Sequence, residues 1–127
     1  MSREDVYSEM KEMIGLAPGF FEAMPDDALV NEWELFKKYI LVDNTTIPAK
    51  YRELIGVAIA AAGHCWYCAN FHAGTSKLNG ATDEEIQEAI HLAKLGVGWS
   101  AYLNGSVYDR DRFLKELQDV GEYLTSK

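Results

Sequence analysis

The sequence predicts an all-α fold built as one domain. Three observations carry that expectation. Apolar residues recur at three- and four-residue spacing through almost the whole chain. No run of alternating residues is long enough to make a half-buried strand. The breaks between periodic stretches fall on turn chemistry such as Leu16-Ala17-Pro18-Gly19 and Asp43-Asn44-Thr45-Thr46.

The elements follow in order. Glu4 to Met13 alternates charged and apolar residues at helical spacing. Asp26 or Asp27 is positioned to cap a second helix, whose apolar stripe takes in Leu29, Val30, Trp33, Phe36, the stem of Lys37 and Ile40. Pro48 suits the first turn of a third helix that runs to about Ala62. Beyond Glu53 that helix is apolar on almost every side, through Leu54, Ile55, Val57, Ala58, Ile59 and Ala60, which predicts burial all round. Its glycine and alanine residues also permit close approach by neighbours. Gly63 stops it, and a fourth helix is expected from near His64 to Asn79, with Gly80 past its end.

Thr82-Asp83-Glu84-Glu85 has the spacing of a capping box, so a long fifth helix starts there and runs through Leu95 towards Tyr102. Gly96 and Gly98 inside it each cost about 1 kcal/mol relative to alanine, and tight packing is the expected compensation. Asn104-Gly105 ends it. An amphipathic helix over Asp109 to Leu124 closes the chain.

Length and charge narrow the function. A chain of 127 residues is one domain, large enough for a core without staples. A formal net charge of −8 argues against nucleic acid or an anionic membrane as partner, because phosphate attraction needs a basic face. Ser2 to Lys11 is charged throughout and has no apolar signal-peptide core. The longest apolar stretch, Leu54 to Gly63, is far short of the roughly 20 residues of a membrane span. A cytoplasmic location is therefore expected.

The chemistry sits in the fourth helix. Cys65 and Cys68 are the only cysteines, and a pair closing so short a loop contributes little to stability. A lone close pair in a cytosolic chain points to redox or metal chemistry instead. Cys65, Cys68 and His72 stand at i, i+3 and i+7, one helical face. Cys65 is expected in the first turn, where free N–H groups and the positive dipole end favour a thiolate. If the helices on either side of Gly63 form an antiparallel hairpin, Glu53 and His72 come to nearly the same height. A lone carboxylate on an apolar helix needs a partner, and His72 is the obvious one. Such a pair beside a dithiol is an acid–base relay able to take a proton from one thiol.

These residues resemble a known family. Glu53, eleven intervening residues, Cys65-x-x-Cys68, three more and then His72 match the core motif of alkylhydroperoxidase D-like members of the carboxymuconolactone decarboxylase family. Pro48-Ala49-Lys50-Tyr51-Arg52-Glu53-Leu54-Ile55 and Asn79-Gly80-Ala81-Thr82-Asp83-Glu84-Glu85-Ile86 are similar to it as well, so that the likeness covers roughly Thr45 to Gly105. The resemblance implies a homo-oligomer, trimer or hexamer, of packed helices, with peroxidase or disulfide reductase activity and no metal or organic cofactor. It implies that Glu53 and His72 act through water on Cys68. Cys65 would attack a small hydroperoxide or disulfide, Cys68 would resolve it, and a dithiol such as lipoamide or a thioredoxin-like protein would restore the thiols. One position departs from the pattern. The best-studied hydroperoxidases carry a histidine immediately before the second cysteine, where this chain has Tyr67, a phenol that does not relay protons near neutral pH.

Other readings stand beside this one. Two cysteines in a helix can be buried small hydrophobes. His64, Cys65, Cys68 and His72 could ligate zinc, although adjacent His64 and Cys65 close a tetrahedron awkwardly. Covalent haem attachment would need histidine at Ala69 and is excluded. Family members that truly decarboxylate lack the cysteine pair, and Arg52, Arg110 and Arg112 form no evident dicarboxylate site. His64 is a turn residue or a cation favouring the Cys65 thiolate, and His91 a surface or interface residue. Trp33, Trp66, Trp99 and Phe71 are expected in the core or between subunits, with Trp66 and Tyr67 flanking the sulfurs.

Overall fold

Ser2 opens the first helix as half of a capping box with Asp5, and Gly15 closes it in the left-handed conformation at φ 87°. The computed structural model, which describes Met1–Lys127, then continues as helices to the end, with no strand. The order is α1 (Arg3–Ile14), a 3₁₀ turn (Gly19–Phe21), α2 (Asp26–Phe36), a π-helical turn (Lys37–Leu41), α3 (Ala49–Ala62), α4 (Trp66–Leu78), α5 (Asp83–Gly105) and α6 (Arg110–Thr125). The all-α expectation holds.

Two apolar clusters organise these helices. Val6 and Met10 of α1 meet Phe21, Leu29 and Trp33 in the first, all essentially out of water. Polar edges seal it. Arg3 reaches Asp26 at 2.5 Å, and Trp33 Nε1 donates to Glu9 at 2.8 Å. Lys37 completes the edge with Glu9 at 3.0 Å and Glu34 at 2.6 Å. The second cluster joins Val57 of α3 to Ala81, Ile86 and Ala89, with Leu54 against it. Here α3 lies between α4 and α5 and packs on both. The Phe36 and Phe71 rings, 6.0 Å apart, join the first cluster to α4.

Several local expectations change. Pro25, not an aspartate, holds the N-cap of α2, and Asp26 and Asp27 lie in the first turn, where carboxylates favour the dipole. The stripe's far end, Ile40, falls in the π turn rather than the α-helix. Helix α3 is not buried all round: Val57 and Ala60 are, but Ile55 and Ile59 remain 46% and 67% exposed. Its neighbours α4 and α5 cover only two sides within one chain. Gly96 and Gly98 have open space where a Cβ would stand, so no tight contact offsets their cost. The capping box at Thr82 and Glu85 forms as expected.

Helix α6 stands apart. Asp109 caps it by accepting from the Arg112 amide at 2.7 Å, yet none of its residues is buried. Phe113, Leu117, Val120 and Leu124 line one face of it without a covering element.

Candidate active site

Two chain segments meet beside the turn between α3 and α4. Ala60, Ala61 and Gly63 end α3, and His64 turns the chain with φ 55°. The Cys65 amide bonds back to the Ala60 carbonyl at 3.0 Å. Helix α4 then starts at Trp66, one position later than a first-turn Cys65 would require. Cys65 is the N-cap itself, and its Sγ accepts from the Cys68 amide at 3.1 Å. The cap position strengthens the local electrostatics, since a cap atom receives an otherwise unpaired N–H directly. Cys65 and Cys68 are joined as a disulfide. Both are partly exposed, and the adjoining Trp66 and Tyr67 rings are exposed and pack on each other.

One turn beyond Cys68, His72 turns its Nδ1 to Glu53 Oε2 at 2.7 Å. The antiparallel α3–α4 hairpin brings the two side chains level, as the count from Gly63 anticipates. Glu53 is fully buried. Thr75 Oγ1 donates to the same Oε2 at 2.5 Å, so one carboxylate oxygen carries two partners. The other, Oε1, has no hydrogen bond and lies 3.5 Å from Arg52 Nε. An ionised Glu53 accepts from Nδ1–H, which fixes the imidazole tautomer and leaves Nε2 as an acceptor.

Thr75, Gly56 and Arg52 belong to this assembly although the site motif does not name them. Thr75 follows His72 by three residues and Gly56 follows Glu53 by three, so the helical face rule reaches both. Gly56 makes the pairing possible sterically. A Cβ there would sit 2.5 Å from His72 Nδ1 and 2.6 Å from Cε1 and Cγ. The imidazole therefore lies directly on the α3 backbone.

His64 is exposed and lines a cavity of about 390 Å³ with Ala61, Ala62, Ile90, Lys94 and Val97, away from the Glu53 pair. His91 is exposed on α5. Of the tryptophans, only Trp33 enters the core, while Trp66 and Trp99 face outward. No three His, Cys, Asp or Glu side chains converge in a metal-binding arrangement, and the four proposed zinc ligands are not gathered together.

Fold and site define a class: an all-helical protein with a disulfide at a helix N-terminus, backed by a buried Glu–His pair. The Carboxymuconolactone decarboxylase family profile matches residues 28–106, more than half of the chain, and the chain belongs to that family. The match takes in α2 as well as the segment from Thr45 onward. Among solved structures, the chain resembles the alkylhydroperoxidase AhpD core from Rhodospirillum rubrum, with a TM-score of 0.72 at 21% identity. That alignment covers 87% of this chain and 85% of the other. It shows the fold to be AhpD-like. No curated protein sequence matches the chain.

Proposed function

We propose that the protein is a thiol-dependent oxidoreductase that reduces a small hydroperoxide or a disulfide through Cys65 and Cys68. The observation that carries this reading is the cysteine pair at the α4 N-terminus with the Glu53–His72 pair one turn further on. In the reduced protein His72 Nε2, acting through water, accepts the Cys68 proton, while the N-cap position favours the Cys65 thiolate. The Cys65 thiolate attacks a hydroperoxide ROOH. The S–O bond forms, the O–O bond breaks, and RO⁻ leaves to take a proton as ROH. Cys68 then displaces hydroxide from the Cys65 sulfenic acid, which departs as water, and the disulfide closes. An external dithiol, small or thioredoxin-like, returns the two electrons and is itself oxidised to a disulfide.

The decarboxylase reading lacks a cluster for a dicarboxylate. Arg52 is committed to the carbonyls of Ile40 and Val42, and Arg112 to Glu116 on its own helix. Arg110 opens α6, the helix that also carries Arg112, while Arg52 lies on α3.

The unpaired stripe of α6, with Ile55 and Ile59 of α3 and Leu95, Trp99 and Tyr102 of α5, exposes more apolar side chain than a small monomer ordinarily leaves in water. We assign it to a closed homo-oligomer, a trimer or hexamer.

Peroxide consumption with lipoamide-type dithiols tests the activity. Wild type should turn over, and Cys65→Ser and Cys68→Ser should not. In Cys68→Ser, dimedone should label Cys65 after one equivalent of peroxide. Dimedone on Cys68 in Cys65→Ser, with none on Cys65 in the reciprocal variant, would reverse the assignment. Thiols that survive oxidant in the wild type would end the redox reading.

A further inference from the structure

Glu53 is fully buried, and both neutral donors at its Oε2 leave its charge uncompensated. A buried carboxylate without a countercharge is costly and is relieved by taking up a proton. If that proton comes to the Glu53–His72 pair, His72 ceases to be a base. The relay therefore needs a permanent cation beside Glu53 other than His72 itself.

Arg52 is the cation there. Its Nε lies 3.5 Å from Glu53 Oε1, and these are two of the three buried side-chain polar atoms that lack a hydrogen bond. The rest of the guanidinium is fixed. Nη2 donates to the Ile40 carbonyl at 3.0 Å, and Nη1 to the Val42 carbonyl at 2.9 Å and Thr45 Oγ1 at 3.2 Å. Ile40 lies in the π turn and Val42 directly after it, where carbonyls run out of helical partners and a guanidinium fork fits them. Neighbouring charges are otherwise engaged. Lys50 pairs with Glu85 of α5 at 2.8 Å, and Lys37 with Glu9 and Glu34. Asp43 caps α3 by accepting from the Ala49 amide, and α4 offers His72, Thr75, the cysteine pair and Lys77, which pairs with Asp83 at 3.1 Å.

We propose that Arg52 is a positioning residue of the redox site: clamped on the π-turn carbonyls, it holds a fixed positive charge against Glu53 so that His72 remains a neutral base. The inference rests on the thiol oxidoreductase reading and adds a residue to it. It also makes the π turn part of the site, because that turn anchors the guanidinium.

The test reads thiol reactivity without any substrate. The reduced protein is alkylated with iodoacetamide across a pH series, and the rate at each cysteine is followed by mass spectrometry in wild type, Arg52→Gln, Arg52→Lys and His72→Asn. Without the nearby cation the carboxylate–imidazole pair keeps its proton, and an imidazolium beside Cys68 favours the thiolate. The rising limb of the Cys68 profile should then move to lower pH in Arg52→Gln by about one unit. Arg52→Lys keeps the charge and loses the fork. It should melt earlier than wild type yet keep the limb close to the wild-type position. A limb unmoved in Arg52→Gln, with only the melting temperature lowered, would reduce Arg52 to a tether. A limb displaced as far in Arg52→Lys as in Arg52→Gln would refute the charge argument. If His72→Asn leaves the profile as in wild type, the relay itself fails, and the role of Arg52 falls with it.

Discussion

Replacing Gly56 with alanine tests the geometry of the site by a single methyl group. The added Cβ would stand 2.5 Å from His72 Nδ1, and 2.6 Å from Cε1 and Cγ. Ordinary contact lies near 3.5 Å, so the imidazole must retreat by about 1 Å. The Nδ1–Oε2 contact begins at 2.7 Å, and a retreat of that size takes it past hydrogen-bond range. Overpacking of this kind costs about 1–3 kcal/mol. Weakening a bond to a charged group costs roughly 1.5–3 kcal/mol more. The helix preference for alanine over glycine returns about 1 kcal/mol. A net loss of about 1.5–5 kcal/mol is expected, which lowers the melting temperature by roughly 5–20 °C for a domain of this size. Turnover with peroxide and dithiol should fall about a hundredfold or more, as on losing an acid–base group. Gly74, on the exposed side of α4 with open space around it, supplies the control. Gly74→Ala should be neutral or stabilise by about 0.5–1 kcal/mol, with activity retained. A Gly56→Ala protein that melts no lower than Gly74→Ala and turns over normally would refute the account of how His72 is seated.

Two further predictions concern the rest of the molecule. Leu117→Asp places a charge in the middle of the α6 stripe. It should dissociate the oligomer in sedimentation equilibrium while leaving helical content by circular dichroism nearly unchanged, and a wild-type mass for that variant would move the interface off α6. The Glu9 carboxyl is held below its ordinary range, first by the Trp33 N–H and then by Lys37. The folded state therefore holds this carboxylate's proton less tightly than the unfolded chain, and the stability it adds is complete above the unfolded value and disappears as pH falls through the folded one. Thermal melts of wild type and Glu9→Gln should lie furthest apart near neutral pH and converge in acid. A gap that widens on acidification would contradict that sign.

The helices were legible because their signals are local. The Thr82 capping box and the glycine and proline breaks mark boundaries that no distant contact has to decide. The Glu53–His72 contact was legible for a different reason: a tight hairpin turns two distances along the chain into one height. The unforeseen features depend on what lies across a gap. Cys65 became a cap because the chain turns once more at His64 before the helical hydrogen bonds begin. Arg52 differs from other surface arginines only through where the π turn delivers the Ile40 and Val42 carbonyls. Exposure of Ile55 and Ile59 reflects how few neighbours one chain provides, which composition alone does not reveal.

The substitution at Tyr67 takes on a definite meaning once the site is assembled. The ring is 79% exposed, packs edge-on against Trp66 with centroids 5.3 Å apart, and makes no hydrogen bond to the Glu53 pair. A phenol in that position can shape access to the sulfurs but contributes no proton transfer near neutral pH. In this chain His72 is then the sole imidazole on the sulfur face of α4, because His64 lines a separate cavity and His91 stands on α5. The acid–base work of the proposed cycle falls on one residue whose seat is set by four others: Glu53 and Thr75 at one carboxylate oxygen, Gly56 beneath the ring, and Arg52 behind. On the proposed cycle, such dependence gives a role to a buried carboxylate on a helix that is apolar beyond it. It costs stability wherever it is not paired, and its value lies in fixing a base that the exposed edge of the helix does not supply.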